Sequence, residues 1–135
     1  PMIVHTEAYN SEEEVVKALR TVKGLGYKAG IALDLLSPAA NLTEEMIKAA
    51  DLVLIMAVPM GKGGQNYDLQ ANERVKNVAR RFPNKPIKVD GGLTDRTAIS
   101  AKEAGAEIFV VGAFITRSGR PLESLDKIEK ILREP

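Results

Sequence analysis

Five short apolar segments, each followed by a helical pattern, constrain this chain more than any other feature. Met2–His5 is the first. Ser11-Glu12-Glu13-Glu14 then has capping-box spacing, and Val15, Val16, Ala18, Leu19 and Val22 recur at helical intervals until Gly24 and Gly26 stop them. Residues 29–34 form the second strand-like segment, and Thr43 opens a short helix carrying Met46, Ile47 and Ala50. Residues 52–58 lack polar alternation, the pattern of a parallel strand covered on both faces. A glycine-rich loop, Gly61-Lys62-Gly63-Gly64, leads into a helix predicted over 68–81. Residues 86–90 are the fourth strand, followed by Gly91-Gly92 and a helix capped near Thr94. Residues 108–115 are predicted as the fifth strand, and Pro121 suits the first turn of the last helix.

Strands separated by helices require βαβ crossovers and a parallel sheet. Residues 1–135 read as one α/β domain with no linker or low-complexity tract. At 135 residues the chain is too short for a complete (βα)₈ barrel, which needs at least ~200 and typically about 250. Two arrangements remain open. One is an open flavodoxin-like sheet with helices on both faces. The other is a partial TIM barrel that keeps its curvature and is closed by oligomerisation, since a bare sheet edge invites association.

Composition narrows the function. Hydrophobic residues at 44% and charged residues at 27% are ordinary for a globular domain and argue against disorder. The apolar run 52–59 is far short of the ~20 residues of a bilayer span, and no charged-then-apolar leader opens the chain. A soluble, cytoplasmic domain is expected. There is no cysteine, hence no disulfide, thiolate nucleophile or thiolate metal site. A formal charge of +1 gives no electrostatic case for nucleic acid.

In parallel α/β proteins ligands bind at the carboxyl ends of the strands. Those ends carry His5-Thr6-Glu7, Asp34, the loop reached through Met56, Asp90-Gly91-Gly92, and Gly112-Ala113. Three of the five present glycine, which lets backbone N–H groups approach an anion closely. Turn chemistry explains any one of them; three together favour a phosphate site. A receiver-type signalling domain ranks last, because His5-Thr6-Glu7 is not an acidic cluster.

The segments Val4-His5-Thr6-Glu7-Ala8, Lys28-Ala29-Gly30-Ile31-Ala32-Leu33, Met56-Ala57-Val58 with Gly61-Lys62-Gly63-Gly64-Gln65, Val89-Asp90-Gly91-Gly92 and Glu103-Ala104-Gly105-Ala106 occur in this order. Together they resemble the ribulose-phosphate 3-epimerase family, which folds as a ribulose-phosphate-binding (βα)₈ barrel, over that family's last five βα units. The resemblance implies a phosphate grip from the backbone of Gly63 and Gly64, Gly91 and Gly92, and Gly112 and Ala113. It implies a substrate-pocket role for Met56 and places Asp90 as one acid/base and metal ligand. Lys62 stands where the family carries an aromatic, and Ala113 where a serine is common.

The resemblance also implies what is missing. Family chemistry uses two aspartates and a divalent metal held by them and two histidines. The second aspartate and both histidines belong to strands without counterparts here, and His5 matches no metal ligand. The expectation is therefore a phosphate- or sugar-phosphate-binding half-barrel, inactive alone and requiring no cofactor. A homo-oligomer or complementary half-barrel would be its partner. The alternative is an isomerase whose missing strands come from a partner, with the metal then at Asp90. Lys88, about 7 Å from Asp90 on the same side of a pleated strand, either neutralises it or faces water across an open sheet. Arg80-Arg81 to Lys85 reads as a solvated helix end and loop.

Overall fold

Alternation along the strands separates two faces, and all the helices pack on one of them. The computed structural model describes residues 1–59 and 66–134. The chain runs β1 (Met2–His5), α1 (Glu12–Gly24), β2 (Ala29–Leu33), α2 (Glu44–Ala49), β3 (Leu52–Met56), α3 (Gln70–Arg81), β4 (Ile87–Asp90), α4 (Asp95–Ala104), β5 (Ile108–Val110), α5 (Ala113–Thr116) and α6 (Pro121–Arg133). Among the described residues the sheet is parallel throughout, in the order β1-β2-β3-β4-β5.

Val4, Ile31, Leu33, Val53, Ile55, Ile87 and Val89 point one way, into a core shared with Val15 and Leu19 of α1, Ile47 of α2, Val75 of α3, Ala98 of α4 and Ile128 of α6. The opposite face carries a small cluster of strand residues only, Ala32, Leu54 and Met56 with Ile3 against them. The sheet is thus open, as one of the expected arrangements has it. The helices on both faces that a flavodoxin-like sheet would carry are absent from the described residues. A right-handed crossover returning to the adjacent strand each time keeps every helix on the same side, which is the layering of a barrel wall.

Capping signals place the helix starts. The Ser11 hydroxyl accepts from Glu14 N at 3.2 Å and that of Thr43 from Met46 N at 3.4 Å. Thr94 and Thr97 cap each other reciprocally. The Glu14 carboxylate bonds Asn10 N at 3.1 Å, one residue before the expected capping-box partner. Pro121 occupies the first turn of α6.

The fifth strand is shorter than predicted. It ends at Val110, and Ala113–Thr116 turns into α5. Gly112, at φ −116° and ψ −87°, leaves the extended region, and its carbonyl accepts from Ile115 N and Thr116 N at 3.0 Å each. The stretch to Lys85 is not wholly solvated either, because the half-buried Lys85 Nζ donates to Ala50 O.

That bond belongs to a polar cluster at the amino ends of the strands. Asp51 Oδ2 accepts from Ala29 N at 2.8 Å, and Lys23 Nζ lies 3.8 Å from Asp51 Oδ1. The Ala29 N–H holds the Asp51 carboxyl below its usual range, with Lys23, Lys28 and Lys85 helping against burial. A lowered folded-state pKa contributes stability above the unfolded pKa, and that stability is lost as pH falls through the folded value. Asp51→Ala is expected to cost about 1–3 kcal/mol at pH 7. Urea unfolding should show the gap to the parent chain narrowing in acid; an unchanged gap would assign the effect to packing instead.

Candidate strand-end site

The parallel register aligns the carboxyl ends of all five strands along one edge of the sheet. At the end of β4 the chain turns through Gly91 at φ +125° and Gly92 at φ +69°. Gly91 is pressed against the neighbouring strand end: a Cβ there would lie 2.8 Å from Val58 Cγ2 and 2.9 Å from Val58 N. The two ends are tied by Ala57 N donating to Asp90 O at 2.8 Å, and the chain returns with Asp68 N bonded to Ala57 O at 2.9 Å. Gly91 is buried and Gly92 exposed, so the turn presents its outer peptide to solvent.

Asp90 lies on the face away from the helices, in register with Met56 on one side and Val110 on the other. Met56 is buried in the small cluster there. Burial pushes the Asp90 carboxyl above its usual range, and the Lys88 charge opposes this without an ion pair forming between the two. Such a raised folded-state pKa makes the protonated form the stabilising one; that contribution is lost as pH rises through the folded value. Asp90→Asn is therefore expected to leave the chain equally or slightly more stable at pH 7, with the difference vanishing in acid. Thermal unfolding at two pH values tests this, and a clearly destabilised variant would show that the carboxylate is held by favourable partners.

The other strand ends are linked to one another. The Glu7 carboxylate after β1 accepts from the Thr6 hydroxyl and, at 2.7 Å, from Ser37 Oγ in the loop after β2. The same loop is held from α3, whose Arg74 donates to Asp34 O at 2.9 Å and Ser37 O at 2.6 Å. Sequence reading missed Arg74. It shares the buried stripe Ala71, Val75 and Val78 of α3, so a cation inside an apolar helical stripe was its available signal. The Glu7–Ser37 bond joins residues thirty apart and has no local signature.

Of the phosphate-binding candidates, Gly91 and Gly92 adjoin β4, while Gly112 and Ala113 begin α5 beside the end of β5. Gly63, Gly64 and Lys62 lie outside the described residues. His5 sits on the same face as Asp90 but on β1, three strands away, roughly 14 Å at ~4.8 Å per strand. Its Nδ1 is buried without a hydrogen-bond partner among the described residues. The pair cannot share one metal ion. No group of three His, Cys, Asp or Glu capable of holding one occurs among the described residues, so this donor set does not by itself fit the divalent ion that the resemblance implies.

The ribulose-phosphate 3-epimerase family model matches residues 1–116. The chain belongs to the ribulose-phosphate 3-epimerase family. It is 30% identical over 119 residues to ribulose-phosphate 3-epimerase of Schizosaccharomyces pombe, covering 88% of this chain and 50% of that one. The Helicobacter pylori (strain 26695) enzyme is 33% identical over 126 residues, covering 87% and 55%. The chloroplastic ribulose-5-phosphate-3-epimerase of Arabidopsis thaliana is 34% identical over 116 residues, covering 83% and 41%. The chain thus spans about half the length of these relatives. The solved structure of 3-hexulose-6-phosphate synthase from Salmonella typhimurium superposes with a TM-score of 0.71 at 17% identity, over 96% of this chain and 60% of that one. At that identity the likeness is one of fold: the open sheet follows the wall of a TIM-barrel-like enzyme. No helix among the described residues is long and apolar enough to cross a membrane.

Proposed function

We propose that residues 1–135 act as one sugar-phosphate-binding domain, a five-unit portion of an epimerase barrel that does not epimerise alone. The observation carrying this reading is the Asp90-Gly91-Gly92 turn, where two positive-φ glycines and the close approach to Val58 leave backbone, not side chain, facing the strand-end edge. Backbone donors of Gly91, Gly92, Gly112 and Ala113, with those of Gly63 and Gly64, would hold the phosphate. Epimerisation beside a ketone needs one group to take a proton from one face of the carbon and another to return it on the opposite face. Asp90 can be only one of these. Among the described residues no group of three His, Cys, Asp or Glu stands together to hold a metal ion at Asp90.

A second reading is an isomerase active when further βα units, from an oligomer or complementary half-barrel, cover the open face. Asp90 favours it: the carboxyl stands on that face, beside Met56, with burial raising its proton affinity. There it would serve as one acid/base and as a ligand of the completed metal site.

Amide shifts during a ribulose 5-phosphate titration test the binding claim. Saturable shifts at Gly91, Gly92 and Gly112 are expected, and their absence counts against it. Epimerisation by the chain alone, abolished by Asp90→Asn, would overturn the inactive reading and favour the second. Particle mass in solution separates closure by copies of this chain from a monomer.

A further inference from the structure

Two hydrogen-bond routes leave the adjacent residues Tyr67 and Asp68 and reach opposite ends of the Gly91-Gly92 turn. The first is backbone only: Asp68 N donates to Ala57 O, and Ala57 N donates to the carbonyl of Asp90, the residue before the turn. The second is made of side chains. The Tyr67 hydroxyl donates to Asn72 Oδ1, Asn72 Nδ2 donates to Ser100 Oγ at 3.3 Å, and Ser100 Oγ donates to Thr97 O at 2.9 Å. Thr97 is the partner of Thr94 in the reciprocal cap of α4, with Thr94 N bonded to Thr97 Oγ1 at 2.7 Å. Thr94 stands two residues after Gly92.

The side-chain route has one consistent direction. Burial pushes the Tyr67 phenol up to about 12, so the hydroxyl keeps its proton at neutral pH and donates. Asn72 then accepts with its oxygen and donates with its nitrogen, and Ser100 accepts from Asn72 while giving its own proton to Thr97 O. Donors arranged head to tail polarise one another. The Tyr67 ring belongs to the helix-side core, and a phenylalanine ring would fill the same apolar space. The hydroxyl is therefore not needed for packing. What it adds is a tie from the segment beside the end of β3 to α3, and from α3 to the α4 helix that packs on it.

We propose that Tyr67 is a positioning residue for the Gly91-Gly92 turn as an anion-binding element. Through Asn72 and Ser100 its hydroxyl fixes the first turn of α4 against the end of β3, and so sets the angle at which the Gly91 and Gly92 peptides meet a bound phosphate. The inference rests on the sugar-phosphate reading and adds to it a residue that acts through others. The turn needs a brace at both ends: its two glycines have positive φ, and glycine leaves a backbone free to adopt other conformations. The backbone route holds the β4 end, and the tyrosine route holds the α4 end.

Ribulose 5-phosphate can be titrated into the ¹⁵N-labelled parent chain, Tyr67→Phe, Ser100→Ala, the double variant, and Tyr27→Phe as an exposed control at the amino ends of the strands. Tyr67→Phe and Ser100→Ala should each bind at least about threefold more weakly, the scale of one hydrogen bond, with amide dispersion retained. The double variant should bind no more weakly than the worse single one, because both changes break the same route. Should Tyr67→Phe fail to fold, Ser100→Ala decides. A tyrosine that only fills the core would lower stability and leave the affinity of the folded variant unchanged, and that result overturns the proposal. So do losses that add in the double variant, or a Tyr27→Phe loss as large as that of Tyr67→Phe. No saturable shift in the parent chain at millimolar ligand overturns the sugar-phosphate reading itself, and the positioning role with it.

Discussion

Gly91→Ala is expected to destabilise the chain by about 3 kcal/mol or more, the sum of two separate penalties. At φ +125° an L side chain is strained wherever it sits, at roughly 1–3 kcal/mol. The added Cβ would also lie 2.9 Å from Val58 N and 3.3 Å from Ala57 C. These are backbone atoms, fixed by the Ala57–Asp90 and Asp68–Ala57 bonds, so they cannot swing aside as a side-chain terminus can. Gly119→Ala separates the two terms, because Gly119 has φ +79° with nothing within 4 Å. It should cost about 1 kcal/mol. Denaturant unfolding of both variants gives the comparison, and equal losses would show that the approach to Val58 is not tight. The same substitution should remove the amide shifts at Gly92 during the sugar-phosphate titration, since the turn that presents that peptide is lost.

Ile55→Ala should cost about 3–4 kcal/mol, and Leu54→Ala, its neighbour on the same strand, about 2 kcal/mol. Both side chains are buried, at 0% and 6% exposure, but on opposite faces. Ile55 lies in the core that the helices cover, where a deleted side chain leaves a cavity with few ways to collapse. Leu54 belongs to the strand-only cluster, where neighbouring side chains and water can move into the vacated space. Urea midpoints with unchanged m-values measure both. A Leu54→Ala loss as large as that of Ile55→Ala would mean that the open face is covered in solution, and it should then come with a doubled particle mass or a bound partner.

The architecture was legible because each unit announces itself locally. Ser11, Thr43 and Thr94 are caps whose backbone N–H donors lie three residues on, and the apolar run from Leu52 has the unalternating pattern of a covered strand. Where reading failed, the deciding contact was distant or conformational. Ile108 onward is apolar enough for a long strand, yet the backbone at Gly112 ends it. Lys85 looks solvated until Ala50, thirty-five residues earlier, supplies its carbonyl. The two faces of the sheet cannot be told apart by hydropathy, because Leu54 and Ile55 are equally apolar; only the return of each crossover to the next strand decides which one the helices cover. Asp90 and its glycines could be placed from the motif. Arg74 could not, because its partners are carbonyls, and every residue has one.

Every strand in this sheet pairs with the next one along the chain and with no other across a gap. Each pairing therefore closes a loop of only one helix and its connections, and closure entropy rises slowly with loop length. Low sequence separation between contacting segments is the main topological determinant of rapid folding. Parallel sheets are ordinarily slow to assemble, but this one requires no meeting of remote segments. The topology therefore lets each βα unit dock on its predecessor without waiting for any later segment.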